Sequence, residues 1–138
     1  MNTYLIQEAS RRILAGTISF PEVVGVLMEA GVEYYLVDYV SRKKTFYGPA
    51  GDVAMTFIDF EDLPEVAADF DGAAIRAAIL DSQRHGQHYR DFSRRAMEAG
   101  VQGYMAFLRG RRVTYWGRQG DQHIEWFPGA APSSQQQG

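Results

Sequence analysis

Apolar residues recur at helical spacing at Leu5, Ile6, Ala9 and Ile13, and Gly16 follows as a C-terminal stop. Ser19-Phe20-Pro21-Glu22 reads as a capping box with proline in the first turn, so a second helix opens there. Its apolar stripe is Phe20, Val23, Val24, Leu27 and Met28, and Gly31 ends it in the left-handed conformation that glycine reaches cheaply. From 32 to 40 the residues become β-branched and aromatic, which fits a strand. Alternation puts Tyr35, Val37 and Tyr39 on one of its faces and Tyr34, Leu36 and Asp38 on the other. Turns at 41–43 and 48–52 lead to two more strands, 44–47 and 53–58. The same succession is predicted again: helices near 73–84 and 89–99, then strands near 101–108, 112–116 and 122–127. Between the two runs, the spacer 59–71 carries six acidic residues and no basic one. The tail from 129 is small and polar and is expected to be disordered.

The second run repeats the first in its letters as well. Met28-Glu29-Ala30-Gly31-Val32 returns as Met97-Glu98-Ala99-Gly100-Val101, a shift of 69. Holding that shift from 19–58 onto 88–127 also matches Tyr35 with Tyr104, Arg42 with Arg111, Thr45 with Thr114, Gly48 with Gly117, and Gly51-Asp52 with Gly120-Asp121. Eleven identities in forty positions exceed the roughly two or three that unrelated segments of average composition give. The expected fold class is therefore α+β, an internal duplication of an αα-βββ unit. Its two halves, about 1–58 and 72–128, would have approximate twofold pseudosymmetry around a shared core within one domain. A single half of about 60 residues buries too little surface to stand alone, and each three-stranded sheet has one apolar face that needs a cover.

Composition narrows the function classes. The 138 residues are 46% apolar and 22% charged, which excludes a fully disordered or fibrous chain. A net charge of −3 excludes a chain-wide basic footprint for nucleic acid. The absence of cysteine removes disulfides, thiol catalysis and cysteine-based metal sites. No apolar run approaches the ~20 residues that span a bilayer, and Met1-Asn2-Thr3-Tyr4 has no basic lead-in. The expectation is a cytoplasmic protein without a membrane partner. There is no GxGxxG, no P-loop and no GxSxG, and His85, His88 and His123 lack zinc spacing, so neither cofactor nor metal is expected.

The glycine-terminated helices with Met-Glu-Ala-Gly-Val, the tyrosine-bearing strands and the ending from Gly120-Asp121-Gln122-His123 to Trp126-Phe127-Pro128 resemble the family called domain of unknown function 1398. Some of its members carry the label phage envelope protein. The resemblance implies a small bacterial or prophage-associated α+β protein. It brings no activity, substrate or catalytic residue with it.

Three constellations carry candidate chemistry. Asp121, His123 and Glu125 alternate on the last predicted strand and would share a face, as an acid/base set or as metal ligands. Tyr104 or Arg118 would lie nearby. The competing reading is a solvated face of an edge strand, with Ile124 and Trp126 toward the core. Asp52 and Asp121, matched by the repeat, are either a carboxylate pair across the pseudo-axis or two turn residues. Tyr35, Tyr104, Tyr115 and Trp116 would line a ligand surface where the two sheets meet, or else serve as ordinary strand packing.

Charge is also segregated. Residues 1–71 carry −7 and residues 72–138 carry +4. The second half places Arg90, Arg94 and Arg95 on a helix, and Arg109, Arg111, Arg112 and Arg118 around the last hairpins. Arginine suits bidentate capture of carboxylate or phosphate. In order of preference these residues are a solvated face, a contact with a protein partner or a second copy through the acidic spacer, and a nucleic-acid patch. The overall reading is a non-enzymatic binding or interaction protein, with a small enzyme built on His123 as the competing class.

Overall fold

A computed structural model describes residues 1–132. Two helices, α1 (Thr3–Ala15) and α2 (Phe20–Glu29), precede β1 (Tyr34–Asp38), β2 (Lys43–Tyr47) and β3 (Val53–Phe57). The order then recurs as α3 (Gly72–His85), α4 (Tyr89–Glu98), β4 (Val101–Phe107), β5 (Arg112–Gly117) and β6 (Gln122–Trp126). The protein is α+β, with four helices and one antiparallel sheet.

Local chemistry accounts for the element ends. The Asn2 side chain accepts from Leu5 N–H to open α1, and Asp71 accepts from Ala74 N–H to open α3. Ser19 and Glu22 cap α2 reciprocally. Gly31, Gly51, Gly100 and Gly120 all hold φ between 84° and 87°. Arg42 and Arg111 turn the β1–β2 and β4–β5 hairpins at φ 61° and 59°, a conformation that non-glycine residues adopt sparingly.

The expectation of two separate three-stranded sheets is corrected. The strand order is β3-β2-β1-β4-β5-β6, so the two runs join edge to edge through antiparallel β1 and β4. Tyr39 N–H donates to Gln102 carbonyl (2.8 Å), and Leu108 N–H donates to Glu33 carbonyl (3.1 Å), at the two ends of this seam. Joining satisfies two strand edges that would otherwise stay open. The helices lie on one face. Ser10 of α1 bonds Thr56 of β3 at 3.2 Å, Tyr39 bonds Ser93 of α4 at 3.1 Å, and the Phe92 ring packs 6.4 Å from Tyr115. Between helices and sheet sits one cluster of buried side chains, including Ile6, Leu27, Val37, Phe46, Ile75, Met97 and Val101.

The α2 stripe is narrower than its pattern suggests. Val23 and Leu27 are buried, Met28 is exposed, and Phe20 packs edge-on against Phe127 at 5.5 Å. Of the expected tail, residues 133–138 lie outside the described residues, and Ala130 N–H closes a turn onto Phe127 carbonyl (2.9 Å). Residues 1–62 expressed alone would lose both the β4 partner and the second half of the core. We expect no cooperative thermal transition by circular dichroism; a cooperative one would show that a half is self-sufficient.

Candidate functional site

The carboxylate–histidine set is rearranged. Asp121 belongs to the β5–β6 turn, where its carbonyl accepts Gly117 N–H at 2.9 Å. His123 and Glu125 pair in register with Tyr115 and Val113, so they face the helices, while exposed Ile124 points to the opposite side. The solvated-face reading is therefore overturned: His123 and Glu125 point inward, and Ile124 and Trp126 do not. Both inward side chains keep about a quarter of their surface, and His123 Nε2 lies 3.0 Å from Glu125 Oε1. Such a pair can orient an imidazole and hold a proton. The groups expected to join it are engaged elsewhere. Tyr104 hydroxyl is 2.7 Å from Tyr89 hydroxyl, and Arg118 donates to Val66 carbonyl at 3.3 Å. Asp52 and Asp121 sit on turns at opposite edges of the sheet, so no carboxylate pair forms across its middle. Among the described residues no group of three or more His, Asp or Glu is placed to hold a metal ion.

The expected aromatic surface divides between the two faces. Tyr35, Tyr104 and Tyr115 are buried beneath the helices, and Trp116 is on the other side. The uncovered face carries its own aromatics. One row across all six strands runs Val53, Tyr47, Tyr34, Phe107, Arg112, Trp126. Within it Tyr34 stacks on Tyr47 (4.8 Å, 15°) and on Phe107 (6.1 Å, 27°), and the Arg112 guanidinium lies 4.9 Å from the Trp126 ring centroid. The next row is Met55, Thr45, Leu36, Met105, Thr114, Ile124. Val53, Met55, Phe57 and Ile124 are between 45% and 60% exposed.

The arginine patch is dispersed as well. Arg109, Arg111 and Arg112 crowd the β4–β5 hairpin, whereas Arg118 lies beyond the other end of β5, roughly 20 Å away at strand rise. Arg94 donates to Asp62 carbonyl and Arg118 to Val66 carbonyl, so the acidic spacer is tied to its own second half through backbone oxygens. Arg95 pairs with Asp81 at 2.8 Å. Arg109 comes within 4.0 Å of Glu33. Arg112 has no carboxylate partner among the described residues. It borders an open depression of about 570 Å³ that also touches Glu33, Tyr34, Phe107, Arg109 and Ile124.

One group escaped the sequence reading. Lys44 is 3% exposed on the helix-covered face, with its Nζ 4.1 Å from the Tyr89 ring centroid and no ion-pair partner among the described residues. Burial pulls its amine from the ordinary 10.5 down to about 7. Tyr89 hydroxyl also lies 3.4 Å from Tyr39 hydroxyl, so the phenols of Tyr39 just after β1, Tyr89 of α4 and Tyr104 of β4 meet in one cluster whose Tyr89 ring faces the amine. Desolvation raises Tyr39 to about 12 and lifts Tyr35, Tyr89, Tyr104 and Tyr115 as well. The signal was present in the letters. Lys44 alternates in phase with Phe46, and the shift of 69 sets it on Val113, an apolar core position.

These features define an α+β protein with a helix-covered apolar core, a lysine and several tyrosine hydroxyls buried in it, and an open sheet face that carries aromatics. Three mycobacterial proteins are similar to it in sequence: uncharacterized proteins Rv2012 and MT2067 of Mycobacterium tuberculosis and uncharacterized protein Mb2035 of Mycobacterium bovis. Each is 32% identical over 117 residues, covering 83% of this chain and 70% of the relative. The chain belongs to the family of these mycobacterial proteins. No protein-family model matches it. Among the described residues no helix is long and apolar enough to cross a membrane.

Proposed function

We propose that this protein is a non-enzymatic binding module, acting in the cytoplasm, whose working surface is the uncovered face of the six-stranded sheet. The observation that carries this reading is the apolar character of that face, with Val53, Met55, Phe57 and Ile124 each half-exposed beside an aromatic row. Five strand spacings by five residues give roughly 400 Å² of sheet. The apolar part of that face lies within the roughly 300–600 Å² of the largest patch on a typical monomer, and such patches are often functional. Of the residues weighed from the sequence, Trp116 and Arg112 belong to this face, while Tyr35, Tyr104 and Tyr115 lie beneath the helices.

The test is native mass spectrometry of material purified from the host. Met55→Glu with Ile124→Glu, both exposed, should abolish bound species that the unmodified protein carries, while His123→Ala should retain them. Retention in the double variant together with loss in His123→Ala would reverse the assignment. It would favour the competing reading, a small enzyme using the 3.0 Å His123–Glu125 pair.

We also infer that the chain arose by duplication of an αα-βββ unit with approximate twofold pseudosymmetry. In support, hydrogen bonds recur at the shift of 69. Asn2 N–H to Ala30 carbonyl matches Asp71 N–H to Ala99 carbonyl (2.7 Å each). Ile58 N–H to Arg42 carbonyl matches Phe127 N–H to Arg111 carbonyl (2.9 Å each). Membership in the domain of unknown function 1398 family, and with it a prophage origin, remains part of the same proposal, resting on the repeated Met-Glu-Ala-Gly-Val.

A further inference from the structure

We propose that the depression at the β4–β5–β6 end of the open face binds a planar aromatic carboxylate; this deepens, and rests on, the binding-module reading. The floor and the charge come from different residues. Phe107 stacks on Tyr34 at 6.1 Å and ends the aromatic stack on the side of Arg112, its neighbour in the row. Beside them in the same row stands Arg112, exposed, lying over the Trp126 ring and without a carboxylate partner among the described residues. A guanidinium resting on an indole keeps the donors in its plane available for a carboxylate fork. The surrounding charges select the valence of the ligand. Arg109 stands 4.0 Å from Glu33, which leaves Arg112 as the uncompensated charge in the depression. A monoanion matches it, whereas a phosphate dianion would meet the Glu33 carboxylate as well. The volume of about 570 Å³ lies within the range of small-ligand sites. An aromatic slab would extend the Tyr47–Tyr34–Phe107 stack toward Arg112.

The probe is 2-naphthoate, with neutral 2-naphthamide and acetate as its controls, titrated into the full chain and followed by NMR at the arginine Nε–H groups. We expect naphthoate to shift Arg112 and to bind at least about tenfold more tightly than either control, the scale of one charge-assisted pair. Arg112→Met should remove that preference. Arg112→Lys, which keeps the charge but not the fork, should weaken it by about the same factor. Arg76→Met, exposed on α3 on the other side of the sheet, should leave naphthoate binding unchanged. Equal binding of naphthoate and naphthamide overturns the inference, as does naphthoate binding that survives Arg112→Met. A concentration-dependent dimer that blocks the titration also overturns it, because a second copy then occupies the face. If naphthoate is ignored while Met55→Glu with Ile124→Glu still strips host-derived species, only this inference fails. If host-derived species also survive that double variant, the binding-module reading fails with it.

Discussion

Lys44→Met should make the protein more stable at pH 7, by roughly 2–3 kcal/mol. An amine whose folded value lies near 7, against 10.5 when solvated, binds fewer protons in the folded state across that interval. Stability therefore rises as the pH climbs from about 7 to 10.5, and it is lost again as the pH falls back through 7. The whole interval corresponds to at most roughly 5 kcal/mol. The Tyr89 ring, 4.1 Å from the ammonium, attracts the charged form and works against that loss. The neighbours from the other elements are neutral. Thr56 of β3 pairs with Lys44 in register and shares a hydrogen bond with Ser10 of α1, and Val37 stands opposite on β1. Methionine fills the same channel without an ionisable group. Urea denaturation at pH 7 and pH 9.5 checks both parts. The unmodified protein should gain stability between the two values and the variant should not. A variant that is less stable at pH 7 and keeps the same pH slope would show that another group sets the slope.

The tyrosines around Lys44 set the opposite limb. Burial holds their phenols protonated above 10 in the folded state, so the unfolded chain loses protons first and stability falls as the pH rises further. Lys44 and these phenols together place the optimum near pH 9–10, above the usual range. Nothing in the binding-module reading uses this buried polar network, and its conspicuous effect is on folding. That is why the functional proposal rests on the open face.

Periodicity made the elements legible and left their neighbours hidden. The helix caps, hairpin turns and alternating strands are local, and each is visible in a window of a few residues, as at Ser19–Glu22 or at Gly48–Asp52. The β1–β4 seam joins residues about seventy apart, and alternation along Tyr34–Asp38 says which face a side chain takes without saying which strand lies beside it. His123 and Glu125 are hidden for a related reason. On an edge strand the apolar residues Ile124 and Trp126 are expected to point inward, but the open face of this sheet also carries apolar side chains. The helix side of β6 lies at the rim, where a polar pair keeps partial contact with water. Lys44 was hidden by its type: a lysine in a strand reads as solvent-facing, and only its phase with Phe46 says otherwise. The acidic spacer was visible by composition, yet its path depends on Arg94 and Arg118 gripping carbonyls, which no charge count reveals.

Gly100→Ala should destabilise far more than the same change at its repeat partner Gly31, and the difference isolates the docking of that spacer. Both glycines close a helix at nearly the same left-handed angle, φ 84° and 86°, which alone costs alanine about 1–2 kcal/mol. Their surroundings differ. A Cβ at Gly31 would meet Met1 Cα at 3.7 Å, an ordinary contact. At Gly100 it would lie 2.8 Å from the Asp69 carbonyl carbon and 2.9 Å from Phe70 Cα, closer than packed backbone allows. The segment cannot yield cheaply, because Asp71 N–H is held by Ala99 carbonyl at 2.7 Å and Asp71 then caps α3. Overpacking of this kind adds about 1–3 kcal/mol, so Gly100→Ala should lose about 2–5 kcal/mol in total. Gly31→Ala should lose only the backbone share. Urea midpoints of the two variants give the comparison. Equal losses would mean that residues 69–71 can shift without unseating α3, and the spacer would then be a loose connection rather than part of the packing between α3, α4 and β4.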